Sequence, residues 1–327
     1  WKWVSLLLLI GLVLIDLASM LVKSAPLLIG IRFIHGLVGG LLVGIGFSII
    51  ARTDEADITF GLLLLVQFGL GGVGVMFLPP LVPEFGTKVL FLSLIAFDLV
   101  TLAMLPFLSS YPLPETDASV AAEADPSVVD SASSAASTKS VYLKPMLLTL
   151  FAIFLFQAAN MGPYAYIVGL GTHSGLEMDF ISPTLGAAAW IGVAGSGLVI
   201  VLSTRYGRSL PLMAAIAMTA MGTFALIYSE LPWVYVLANC GVGMTWAFVI
   251  PYLFGMCAEI DKAGQMAAMG GFASKMGLAS GPLVAAFVVG DNNYTLMIMR
   301  ATGALIGCAL VVFGPARMLD RVALGSK

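Results

Sequence analysis

Ten apolar runs, each of membrane-spanning length, constrain this chain more than anything else in it. They are 3–22, 26–50, 58–79, 88–108, 145–170, 181–203, 210–228, 233–257, 265–289 and 294–315. About 20 mainly apolar residues cross the ~30 Å hydrocarbon core of a bilayer as a helix. The runs are continuous and lack the two-residue alternation of barrel strands, so helices are expected. Hydrophobic residues make up 60% of the chain and charged residues 10%, against ~25% charged in ordinary globular domains. So few charges cannot cover a water-facing surface; the solvent for most of the chain is lipid. The net charge of −3 carries no partner information, because the charges sit mostly between the runs. Cys240, Cys257 and Cys308 fall inside runs without metal-type spacing and read as small buried hydrophobes.

The close spacing breaks once. Residues 109–144 are rich in Ser, Ala, Pro and acids and read as a disordered linker between two membrane halves, 1–108 and 145–327. The halves repeat. A shift of 207 positions lays the first four runs on the last four, with Gly36 on Gly243, Ala51 on Ala258, Asp54 on Asp261 and Gly74 on Gly281. Runs 145–170 and 181–203 find no counterpart. The expectation is therefore a twelve-helix protein seen without its first two helices, with Trp1 standing where Arg208 stands in the second half.

Between two runs lies the turn Arg205-Tyr206-Gly207-Arg208. It resembles the cytoplasmic loop motif of the major facilitator superfamily, G-x-L-x-D-R-x-G-R-R/K. Arg205, Gly207 and Arg208 match, while Ile200, Thr204 and Ser209 depart from the pattern. The resemblance implies an all-α polytopic membrane protein of that fold, with ten of twelve helices in two pseudo-repeated halves. It implies secondary transport of a small solute, proton-coupled, by a monomer in a bacterial inner membrane, with no cofactor and no nucleic acid. Arg205, Gly207 and Arg208 would form an inner gate, met by Asp54 and Asp261 at matching helix ends. Of the fifteen Lys and Arg residues, ten fall in loops on the side of this turn and two on the other. That asymmetry puts the linker and C-terminus in the cytoplasm.

No phosphate-cradling loop, H-E-x-x-H helix, nucleophile elbow or Cys–His signature occurs, so neither an enzyme nor a nucleotide-driven pump is expected. An ionisable group within a span costs ~2.5–3.5 kcal/mol on insertion scales. Asp16, Arg32, His35, Asp98, Lys275 and Arg300 are such groups. At ~1.5 Å per residue, Asp16 and Arg32 both lie roughly 10 Å deep on consecutive antiparallel spans, so an ion pair is geometrically expected. It could be structural, or serve proton coupling or substrate. Arg32 and Gly36 resemble the family's fourth-helix R-x-x-x-G, in which the arginine is linked to proton coupling, and His35 shares its face. Asp98 reads as a structural hydrogen-bonding group.

In the second half Gln157, Asn160, Met161 and Tyr164 recur at i, i+3, i+4 and i+7, a polar stripe that Gly162-Pro163 is expected to interrupt. Asn239 is the repeat partner of Arg32, and Trp246 lies two turns on. The resemblance places these helices along a central cavity, where helix–helix hydrogen bonding is the plain alternative; Lys275 should face inward, toward the missing second helix, which could supply its partner. The family's fifth-helix exporter pattern is not matched at Gly69 to Pro80, and only Gly277 to Pro282 partly matches it. Three readings stand. Arg32, His35 and Lys275 favour import of an organic anion or sugar-like solute. Asp16, Asp98, Trp190 and Trp246 favour export of lipophilic cations. A transporter-fold sensor without flux is the third.

Overall fold

The computed structural model describes residues 1–108, 130–202, 205–261, 264–290 and 292–325. Linker residues 109–129, Thr204 of the loop motif, and the bases Lys262 and Lys327 lie outside them. Every backbone polar group in lipid must be satisfied within its own segment, and the chain answers with helices. The first half holds α1 (Lys2–Leu21), α2 (Ala25–Ile50), α3 (Ala56–Phe85) and α4 (Lys88–Met104). The second holds α5 (Asp130–Ala165), a short α6 (Ile167–His173), α7 (Met178–Leu202), α8 (Ser209–Ala225), α9 (Pro232–Ile260), α10 (Gln265–Val289) and α11 (Tyr294–Gly325). Ten of these are long and apolar enough to cross a membrane. Their outward faces carry large apolar side chains such as Leu21 and Phe287, both more than 80% exposed, which only lipid can solvate.

Two boundaries differ from expectation. The helix of the fifth run begins at Asp130, inside the segment read as linker. From 130 to 144 that segment contains no proline or glycine, so nothing in it opposes helix. At its other end the helix passes through Gly162-Pro163 and stops at Ala165. The break falls at Tyr166, whose N–H closes a tight turn onto the Pro163 carbonyl at 3.0 Å, before α6 resumes.

The packing follows the 207-residue repeat. α1 packs on α2 and α4, and its counterpart α8 packs on α9 and α11. Across the halves, α2 meets α10 while α9 meets α3, the same contact exchanged between repeats. Burial of apolar surface drives little of this, since lipid tails are as apolar as leucine; close packing and interhelical hydrogen bonds do. A Cβ on Gly281 would come within 2.5 Å of the Ala158 carbonyl oxygen, and one on Gly243 within 2.7 Å of the Ala188 oxygen. Bare glycines thus set the α5–α10 and α7–α9 spacings. Gly277 and Gly281, the partial exporter motif, lie in this α5–α10 contact. Thr219 donates to Thr245 at 2.7 Å between α8 and α9, a bond worth ~0.6–2 kcal/mol in a bilayer.

Candidate functional site

A cavity of about 350 Å³ lies between α2 and α3 on one side and α5, α7, α9 and α10 on the other. That is a small-molecule volume. Gln157 organises its polar wall. Trp246 Nε1, which can only donate, bonds Gln157 Oε1 at 2.7 Å, and this orients the amide so that Gln157 Nε2 donates to Ser274 Oγ at 2.7 Å. The Tyr164 ring meets Trp246 edge-on, with centroids 6.0 Å apart. Three helices, α5, α9 and α10, are thereby tied at one level. Asn239 lines the cavity while its Nδ2 donates one turn back to the Tyr235 carbonyl at 2.8 Å.

The stripe on α5 is narrower than its spacing implied. Gln157 and Tyr164 line the cavity, whereas Asn160 is buried and spends its Nδ2 on the Phe156 carbonyl at 2.8 Å. Ser274 escaped notice in the sequence, although the 207-residue shift pairs it with Gln67 and both line the cavity. Lys275 lines it too. Among the described residues it is the one charged side chain on the wall, and no ion pair or hydrogen bond engages it there.

A second cluster stands apart from the cavity, between α1, α2 and α4. Arg32 forms an ion pair with Asp16, which is fully buried, and His35 Nε2 faces Asp16 Oδ2 at 3.4 Å. The Arg32 guanidinium also lies over the Phe91 ring at 5.3 Å. Asp98 on α4 is close enough to feel the charges of both Asp16 and His35, so it belongs to this group rather than standing alone. Asp16 Oδ2 and Asp98 Oδ2 are buried and accept no hydrogen bond among the described residues. The cluster holds two carboxylates, one guanidinium and one imidazole.

A third group closes the turn end, the end of the bundle carrying residues 205–208. Gly207 has φ +71°, where side chains are rarely tolerated, and a Cβ there would press on the Asp320 carboxyl. That carboxyl, from α11, accepts the N–H groups of Arg208 at 2.6 Å and Ser209 at 2.9 Å, capping the start of α8. Arg208 then reaches across to the other half. Its Nη2 meets Asp57 Oδ2 at 2.8 Å and Glu259 Oε2 at 3.6 Å, with both Arg208 and Asp57 buried.

The contact expected of Asp54 is made by Asp57, three residues on, in the first turn of α3; Asp54 itself is exposed. Asp261 instead accepts the N–H of Met266 in the first turn of α10 at 3.0 Å. Arg205 is exposed and makes no ion pair among the described residues. Beside the charged pair, the rings of Phe47, Phe60 and Phe254 meet edge-on or tilted, with centroids 4.6–5.3 Å apart. Phe47 and Phe254 line the cavity and are repeat partners, 207 residues apart, meeting directly across the halves. That identity was available in the repeat and marks the closed floor of the cavity.

The sequence matches the family model of the Major Facilitator Superfamily over residues 2–286. No curated protein matches it. Among solved structures, the human organic anion transporter MFSD10 (TETRAN) superposes with a TM-score of 0.71 at 18% identity, covering 95% of this chain and 76% of that one. The transporter FucP, in the outward conformation, gives 0.67 at 16%, covering 97% and 82%. The proton:xylose symporter XylE bound to 6-bromo-6-deoxy-D-glucose gives 0.66 at 12%, covering 96% and 79%. At these identities the likeness is one of fold.

Proposed function

We propose, from the premise that this chain belongs to the major facilitator superfamily, that it is a secondary active transporter moving a small solute by alternating access. The two halves, 1–108 and 145–327, would rock about the central cavity as a monomer. One observation carries the reading: at the turn end the cavity is floored by contacts that join the halves, Phe47 on Phe254 and Arg208 on Asp57. We assign that end to the cytoplasm from the basic residues gathered in its loops. The state described is then the one closed to the cytoplasm. Reconstitution into vesicles tests the reading, with saturable solute uptake above protein-free vesicles expected for one class among single-ring acids, sugars and cations. Absence of saturable flux for every class would leave a sensor of transporter fold.

Proton coupling is assigned to the cluster of Asp16, Arg32, His35 and Asp98. With His35 neutral it carries one net negative charge, and binding one proton makes it neutral, a change that lipid-buried helices register strongly. α2 carries Arg32 and His35 and, further along, Phe47, so one helix joins the cluster to the cavity floor. Arg32→Ala should abolish proton-driven uptake while leaving expression and solute binding intact; unchanged uptake would sink the assignment. Export of lipophilic cations is disfavoured, because Asp16 and Asp98 belong to this cluster and not to the cavity wall.

A further inference from the structure

Resting on the transport reading above, we infer that the cavity takes an organic monoanion, a single carboxylate on a small apolar body. Among the described residues Lys275 is the only charge on the cavity wall, and none of their carboxylates forms an ion pair with it. An unpaired ammonium at membrane depth is unfavourable until an anion joins it.

The neighbouring groups point to the same chemistry. Ser274 Oγ accepts from Gln157 Nε2, so its own proton is left to donate, and no acceptor takes it among the described residues. Of the other polar groups on the wall, Trp246 Nε1 is engaged on Gln157 and Asn239 Nδ2 on the Tyr235 carbonyl, while the Gln67 amide and the Tyr164 hydroxyl are neutral groups that can donate as well as accept. Lys275 and Ser274, consecutive residues of α10, bring an ammonium and a hydroxyl proton, both donors, to one stretch of the wall. A carboxylate, which only accepts, complements that pair; an amine does not. Phe47, Phe68 and Phe254 supply an apolar surface for the rest of the molecule. A volume of about 350 Å³ suits one ring or a short chain.

Three one-ring probes of matched shape separate the charges: benzoate, benzamide and benzylamine. Thermal unfolding of the purified full chain in detergent reads their binding without requiring flux, since a ligand of the folded state raises Tm with concentration. Benzoate should stabilise saturably, benzamide about 10-fold more weakly or worse, and benzylamine not at all. Lys275→Gln should weaken benzoate about 10- to 100-fold, to the level of benzamide, while Lys275→Arg keeps most of the preference. Ligand-free Tm checks that the variants fold, and Ser274→Ala gives a second probe, expected to weaken benzoate and spare benzamide. Equal binding of the amide or amine, a preference that survives Lys275→Gln, or no saturable benzoate binding would overturn the inference. Benzoate binding without flux would instead sink the transport reading and leave the anion site. Flux of a neutral solute without benzoate binding would do the reverse.

Discussion

Replacing Asp57 by asparagine should loosen the turn end by a calculable amount. Asp57 Oδ2 and Arg208 Nη2 are 2.8 Å apart, and both side chains are 9% exposed. At an effective dielectric of ~20 the gross attraction is roughly 6 kcal/mol. Most of that offsets desolvation of the two ions. A hydrogen bond to a charged partner retains a net ~1.5–3 kcal/mol. Asparagine keeps the shape and gives up the charge, and Glu259 remains 3.6 Å from Arg208 on its own half, so the guanidinium is not left bare. On the alternating-access reading, the pair joins the halves only when this end is closed. Losing it should therefore raise the open fraction roughly 10- to 150-fold, at ~1.4 kcal/mol per factor of ten.

Native Cys257 can report that change. It is fully buried, one turn beyond Phe254 toward the turn end. With Cys240 and Cys308 replaced by alanine, its alkylation by a maleimide under fast opening and closing tracks the open fraction. Asp57→Asn should accelerate labelling by about one to two orders of magnitude, while Asp54→Asn, at an exposed position, should not. Equal rates for Asp57→Asn and the parent, or equal acceleration by Asp54→Asn, would refute the assignment of Asp57 as the gate carboxylate.

Three further outcomes follow from the packing. Gly281→Leu would drive a side chain into the Ala158 carbonyl and force α10 off α5, costing ~1–3 kcal/mol; intrinsic tryptophan fluorescence should show a lowered Tm, and an unchanged Tm would contradict the contact. Trp246→Phe keeps a ring but removes the donor to Gln157 Oε1, so stability should fall by ~1 kcal/mol and ligand affinity with it, as read by thermal stabilisation. Phe47→Ala and Phe254→Ala should be non-additive by ~0.5–1.5 kcal/mol in a double-mutant cycle on unfolding, because the rings meet at 4.6 Å.

Much of this architecture was legible beforehand because span length and repeat period are properties of long stretches. The Asp16–Arg32 pair was legible too, since helical rise alone sets the depth of each residue in its span. The gate was harder. Asp54 and Asp57 differ by three residues at a helix start, and only the rotation of α3 decides which one faces Arg208. Helices that are apolar nearly all round give no periodic stripe from which rotation can be read. The same reason explains Asn160, which shares a spacing pattern with Gln157 yet turns away from the cavity. Asp320 capping α8 from α11 joins residues more than 100 positions apart, and no local pattern announces it. Tyr166 rather than Pro163 ends α5 because the backbone groups freed by proline can be satisfied within a packed bundle, and the chain breaks where the next turn closes.

The most direct test of alternating access is a pair of spin-label distances on a background lacking the native cysteines. One pair, at Glu55 and Tyr206, spans the turn end between exposed positions on the two halves; the other, at Thr87 and Glu177, spans the opposite end. Titrating a bound solute and changing pH should lengthen one distance as it shortens the other, with a two-state exchange of populations. Distances that stay fixed at both ends, or that lengthen together, would contradict a transporter that opens to one side at a time.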